Sequence, residues 1–235
     1  MSTKMFNAPD HRFEIKKEYV SKAGFWVAKK RYAQWIISDN GIPVEKLDVK
    51  GLDTVRSSFP MAFREFMSEI LIGILNGEDE ELLSGKISHF KNKLPELGIL
   101  EISKSTAVKN MTKYLPEGKQ GSLFNFKKST PAHVKAAIAY NQLLIHFKCA
   151  YKYPPFKDGD KLKWAYLKNN PFGLSALAFS GDEDPDEIMD IIQTYIDYDK
   201  IFERELLSKF TDFFSALGWR SVISHQNKSK EFFSF

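Results

Sequence analysis

The spacing of apolar residues changes at Pro60, and that change limits the fold more than any other feature of the sequence. Before it, apolar residues come in short runs. Phe13, Ile15 and Tyr19 stand among charged residues, Phe25 to Ile37 is rich in aromatic and β-branched side chains, and Leu47 to Leu52 alternates with lysine and aspartate. Runs of this kind, bounded by turn residues such as Asp39-Asn40-Gly41, read as strands. After Pro60 the period lengthens: Ala62, Phe63, Phe66, Ile70, Leu71 and Ile74 recur at helical spacing and stop at Asn76-Gly77. A few strands followed by runs of helix is an α+β pattern. The expected architecture is a small antiparallel β region followed by a mainly helical domain. So small a sheet leaves edges and an apolar face to be covered, so the chain is expected to begin in the middle of a fold.

The rest of the chain follows the second pattern with interruptions. Glu78 to Leu94 reads as a helix with Leu82, Leu83, Ile87, Phe90 and Leu94 inward, and Ile99 to Ile102 as a short β-like piece. Lys104 to Lys128 is polar and basic, a loop region anchored by Tyr114 and Phe124. Pro131 opens a helix with Val134, Ala137, Ile138, Leu143 and Leu144 on one stripe. Asp158-Gly159-Asp160 is a turn before an alternating strand, Leu162 to Tyr166. Helices are expected from Asp184 to Ile192 and from Tyr198 to Leu217, the latter with Phe202, Leu206, Phe210 and Phe214 inward. Ser221 to Lys230 has the polarity of a tether, and the chain ends Phe232-Phe233-Ser234-Phe235.

One basic stretch points to chemistry. Lys29-Lys30-Arg31-Tyr32 leads into the strand Ala33 to Ile37. Read as part of that strand, Lys30 and Tyr32 share one face and Lys29 and Arg31 the other. A lysine beside a tyrosine presents two hydrogen-bond donors. The minor groove of duplex DNA presents acceptors at every base pair, so such donors sense pairing without reading sequence. Taken alone, these residues also describe an ordinary basic strand end beside a half-buried tyrosine.

The order of surrounding features sharpens this. Gly24-Phe25-Trp26 precedes the tetrad; Gly41, Lys46 to Leu52 and Val55-Arg56-Ser57-Ser58-Phe59-Pro60 follow it. Further on come the Pro131 helix with His133, Lys135, Tyr140 and Asn141, the turn Asn170-Pro171-Phe172-Gly173, Ile196 to Lys200, and Ala216 to Trp219. From about His11 onward this order resembles the end of the palm and the thumb of family B replicative DNA polymerases, of the T-even-like and cyanophage type. The resemblance implies DNA contacts at Lys29, Lys30, Arg31, Tyr32, Arg56, Ser57, Ser58, Lys127, Lys128, His133, Lys135, Tyr140 and Asn141. It implies that Phe232, Phe233 and Phe235 dock on a sliding clamp. It divides the chain into the end of a palm (1–55), a thumb (56–220) and a tether with a clamp-binding tail (221–235).

Composition sets the remaining bounds. The 235 residues are 43% hydrophobic and 14% aromatic, with 20 phenylalanines, which suits a packed core. The net charge of +4 allows a phosphate-facing surface without requiring one. Cys149 is the single cysteine, which excludes an internal disulfide and a cysteine-based zinc site. There is neither a signal-peptide pattern nor an apolar run long enough for a bilayer, so a cytoplasmic location, in an infected bacterial host, is the expectation.

Polymerase chemistry needs carboxylates that hold divalent metals. The family's motifs for this, an aspartate before Ser-Leu-Tyr-Pro-like residues and an Asp-Thr-Asp, do not occur, nor does its nucleotide-binding helix. Asp197-Tyr198-Asp199 opens a helix, Asp158-Gly159-Asp160 is a turn, and Asp182 to Glu187 is a solvated acidic cluster. No catalytic or metal-ligating residue is therefore assigned. The expectation is the C-terminal subunit of a split polymerase, binding no cofactor itself. A companion chain would supply the catalytic palm, fingers, exonuclease and Mg2+ site. Primer–template duplex and the sliding clamp are the other expected partners. The alternative is a stand-alone, non-enzymatic DNA-binding or inhibitory module derived from a thumb.

Overall fold

Two tight turns shape the first part of the protein. In the computed structural model, which describes residues 17–56, 58–115, 124, 126–127 and 129–220, β1 (Tyr19–Ala28), β2 (Arg31–Asp39) and β3 (Ile42–Lys50) form an antiparallel sheet in that order. Asn40 and Gly41 take φ of 50° and 86° between β2 and β3. Positive φ at both turn residues gives the twist that a two-residue hairpin needs. The other link is Lys29-Lys30, with Lys30 at φ 64°. Two rows cross the sheet: Phe25, Ala33 and Val49 on its inner face, and Trp26, Tyr32 and Lys50 on its outer face.

The inner face is covered by helices. α1 (Met61–Asn76) ends at Gly77, which adopts the left-handed conformation of a helix C-cap, φ 79°. Asp79 then caps α2 (Glu80–Lys93), its carboxylate accepting from Leu82 N at 2.8 Å. The two helices approach closely because Gly73 has no side chain: a Cβ there would lie 2.8 Å from Leu83 Cδ2. Phe66 stacks on Phe90 at 3.9 Å and meets Phe210 edge-on at 5.7 Å, while Phe25 of β1 meets Phe213 edge-on at 5.6 Å. The phenylalanine content is thus spent on joining the first sheet to the helices in one buried cluster.

A second antiparallel sheet, β4 (Lys104–Ala107), β5 (Lys161–Tyr166) and β6 (Ala176–Phe179), packs on α4 (Ala132–His146). Buried residues occur nearly all round α4, from Val134 through Ala136–Tyr140 to Leu143 and Leu144, as expected of a helix enclosed by the fold. After α5 (Asp186–Tyr195), the chain ends its described part in one long helical rod. The rod comprises α6 (Tyr198–Phe202), a π turn (Glu203–Leu207) and α7 (Ser208–Leu217). No described helix is long and apolar enough to cross a membrane.

The α+β class and the change of period at Pro60 match the structure. Several local expectations do not, among them Leu82, placed inward by its spacing but 51% exposed. Ile99–Ile102 is a helical turn, α3, because Gly98 N bonds back to Glu101 Oε2 at 2.8 Å and closes it. The basic region after Lys104 contains a strand, β4. β6 has no counterpart in the sequence reading. Lys29 and Lys30 form a turn, so they do not alternate with Arg31 and Tyr32 across a strand. Of the stretch from His11 to Tyr19 suggested as a strand or the approach to one, residues 11–16 lie outside the described residues and Tyr19 opens β1.

Candidate nucleic-acid interface

The tip of the β1–β2 hairpin gathers the first group of basic and aromatic side chains. Lys29 and Lys30 are exposed in the turn and form no ion pair with another described residue. Beyond them the strands restore alternation. Arg31 points inward, where its Nη2 meets Asp212 Oδ2 of α7 at 3.1 Å. Tyr32 points outward, between Trp26 and Lys50. Gly51 passes so close to the Lys30 carbonyl that any side chain there would overlap it, and its φ of 67° suits glycine. The turn that carries both lysines is therefore backed by the end of β3.

The next row on the outer face is polar and self-satisfied. Ser21 Oγ donates to Gln34 Oε1 at 2.8 Å, Gln34 Nε2 reaches Asp48 Oδ2 at 3.4 Å, and Lys50 Nζ lies 3.1 Å from Asp48 Oδ1. The Asp48 hydrogen bond and charge raise the Lys50 pKa above its usual value. Lys50 thus keeps its cation beside Tyr32.

Arg56 reaches the same side by another route. Its Nη1 lies 2.9 Å from Asp53 Oδ1, and Asp53 Oδ2 lies 3.0 Å from Lys209 Nζ of α7. Lys209 and Asp212 share one face of α7, so that helix meets Arg31 directly and Arg56 only through Asp53. Ser58 is exposed just beyond Arg56, and Ser57 lies outside the described residues.

A second group surrounds the start of α4. Lys127 Nζ donates to the Lys113 carbonyl at 2.9 Å, and the Lys127 carbonyl accepts from Thr130 Oγ1 at 2.7 Å, which ties the preceding loop to the helix. Lys128 lies outside the described residues. His133 is half-buried; burial, then the charge of Lys104, lowers its pKa below the usual histidine range. It is a neutral imidazole near neutral pH. Lys135 is half-buried in the first turns of the same helix.

Tyr140 and Asn141 have internal partners. Tyr140 is 1% exposed; burial, then the Asp184 carboxylate facing its phenol, raises its pKa. Asn141 holds Phe156 by both main-chain groups: Nδ2 donates to the carbonyl at 2.9 Å and Oδ1 accepts from the amide at 2.8 Å. These two residues join α4 to the segment before β5 and offer no exposed donor to a ligand.

The acidic residues are occupied locally. Asp197 Oδ1 accepts from Lys200 N at 3.0 Å, Asp158 from Met111 N at 2.9 Å, and Asp160 from Lys157 N at 2.7 Å. Asp184 accepts from the amides of Ser180 and Gly181 and from Ser180 Oγ. Among the described residues no three histidine, cysteine or carboxylate side chains converge as a metal site.

Trp26 and Lys50 are the side chains that flank Tyr32 on the outer face. Both follow from the hairpin register, which sets them beside Tyr32 once the turn is placed at Lys29-Lys30. The clamp-binding expectation for Phe232, Phe233 and Phe235 falls outside the described residues.

No family model matches the chain. It is similar to the DNA-directed DNA polymerase of Enterobacteria phage T4, 28% identical over 213 residues, which are 86% of this chain and 22% of that protein. It is also similar to the DNA-directed DNA polymerase of Escherichia phage RB69, 28% identical over 197 residues, 82% of this chain and 21% of that protein. The chain spans about a fifth of the length of these curated relatives. Over most of its length, this protein is similar to one region of phage DNA-directed DNA polymerases.

Proposed function

We propose that this chain grips primer–template duplex DNA as the end of the palm and the thumb of a family B replicative polymerase. It works as the C-terminal subunit beside a companion chain. That companion carries the metal-holding carboxylates, the nucleotide site, the fingers and the exonuclease. The observation that carries this reading is the hairpin tip. It presents an outward tyrosine and two lysines without an ion-pair partner among the described residues, on a turn braced by Gly51, with Arg31 held on α7 and Arg56 on Asp53 behind it. The similarity to the two phage polymerases supports it.

On this reading, Tyr32 Oη and the Lys30 ammonium donate to minor-groove acceptors, which every base pair offers at nearly the same place. The contact tests pairing and ignores sequence. Lys29, Lys127 and Lys128 neutralise phosphates and hold the duplex in a salt-dependent way. Phe232, Phe233 and Phe235 form an anchor for a sliding clamp, which raises the local concentration of the clamp at the enzyme.

The test is duplex binding by the full chain at several salt concentrations. Lys30→Asn removes the charge and keeps a residue that tolerates the left-handed turn. It is expected to weaken duplex binding without changing sequence preference. Tyr32→Phe removes one hydroxyl and is expected to weaken binding by about 2- to 10-fold on every duplex sequence tried. Unchanged affinity in both variants would remove the minor-groove assignment.

A further inference from the structure

The outer row of the first sheet contains one large aromatic side chain, Trp26, that the duplex contact does not use. Trp26 is 59% exposed, whereas the other described aromatics, Tyr19 and Tyr151 apart, are buried or half-buried. Its position is fixed. The six-membered ring lies directly on Gly24, two residues back on the same face, where a side chain would overlap it. Gly24 is in ordinary strand conformation, paired with Gln34, so the backbone does not demand glycine there. The missing side chain instead provides a flat seat. Tyr32 extends the surface, its ring centroid 6.2 Å from that of Trp26 and its plane tilted by 32°. The exposed lysines of the turn follow immediately, at Lys29 and Lys30.

A flat aromatic plate on a sheet, open on its outer side and edged by cations, suits the face of a nucleobase with the adjoining phosphates. In an intact duplex the base faces are covered by their neighbours and only edges and sugars are available. The ligand that matches the plate is therefore an unpaired strand. We propose that Trp26, with Tyr32 beside it, is a stacking platform for one or two unpaired bases of single-stranded DNA, with Lys29 and Lys30 on the flanking phosphates. This goes beyond the duplex contact, and it can fail while that contact stands.

The experiment compares binding of the full-length chain to a fluorescent oligothymidylate, to an abasic strand of the same length and charge, and to a hairpin duplex. The base-bearing strand is expected to bind about 10-fold more tightly than the abasic strand, a ratio within the range of base–aromatic stacking. Trp26→Ala is expected to erase that ratio and leave duplex affinity unchanged. Trp26→Phe, which keeps a smaller plate, is expected to retain part of it. Equal binding of the base-bearing and abasic strands by the unaltered protein overturns the platform, as does a ratio that survives Trp26→Ala. Loss of a polymerase companion chain in Trp26→Ala, with strand binding intact, also overturns it and makes the plate a protein interface. Loss of duplex binding in Tyr32→Phe alone concerns the grip and leaves the platform standing.

Discussion

Lys30 occupies a backbone region, φ 64°, that costs most residues about 1 kcal/mol or more, because Cβ approaches the carbonyl oxygen. A long cation at a position suited to glycine or asparagine is a local expense that packing does not explain. The side chain is exposed and has no ion-pair partner among the described residues. Strain of this kind is found where function retains it. Lys30→Gly is expected to raise stability by about 0.5–1 kcal/mol in thermal or urea unfolding while weakening duplex binding. Opposite signs in the two measurements are the expected outcome, and lower stability would count against the account. The same residue shows where the sequence is legible. Asn40-Gly41 announces its turn by residue type. Lys29-Lys30 carries no such signal, so the strand pattern extends through it and assigns both lysines to faces they do not have. Arg31 and Tyr32, just inside the strand, do fall on opposite faces, as period two requires.

Among the elements, the long apolar-striped helices were readable and the short pieces were not. α1 carries an apolar stripe and a Gly77 stop; α2 starts at an aspartate cap and ends with Lys91 and Lys93 in its last turn. β6 is four residues long, all buried, so it shows no alternation and reads as nothing in particular. β4 is Lys-Ser-Thr-Ala, which is strand only because β5 pairs with it. β4 is also tied to the π turn in the final rod. The turn holds Glu205, whose side chain is 9% exposed, and Lys104 Nζ of β4 meets its Oε2 at 2.8 Å. A buried carboxylate without its cation is costly, and water beside the partly exposed Lys104 moderates that cost. Lys104→Met is expected to destabilise the protein by about 1–3 kcal/mol in urea unfolding. Adding Glu205→Gln should restore much of the loss, so that the two changes are strongly non-additive. Additive effects would show that the pair does not hold the rod to the sheet.

The molecule as a whole joins two sheets and a phenylalanine-rich helical body in one core, and the α+β class was legible from the change of period alone. The covering of the sheet was not. Of the apolar residues on β1 and β2, Phe25 is buried against α7, whereas Trp26 and Ile37 remain exposed and Val27 and Trp35 are partly covered. Sequence periodicity marks an apolar face but not the distant segment that covers it. On the proposed function, the purified chain should not extend a primer with Mg2+ and nucleotides, and extension should appear when the companion chain is added. Extension by this chain alone would refute the division of labour. The tie between the hairpin and α7 has a further consequence, for the order of synthesis. Arg31 and Asp212 are 181 residues apart. At about 5–20 residues per second, the ribosome delivers the covering helix roughly 10–35 seconds after the hairpin. During that interval α1 is the cover available to the inner face and Phe25 lacks its α7 partner Phe213, so this part of the surface is open to chaperones or to mispairing until nearly the whole described chain has emerged.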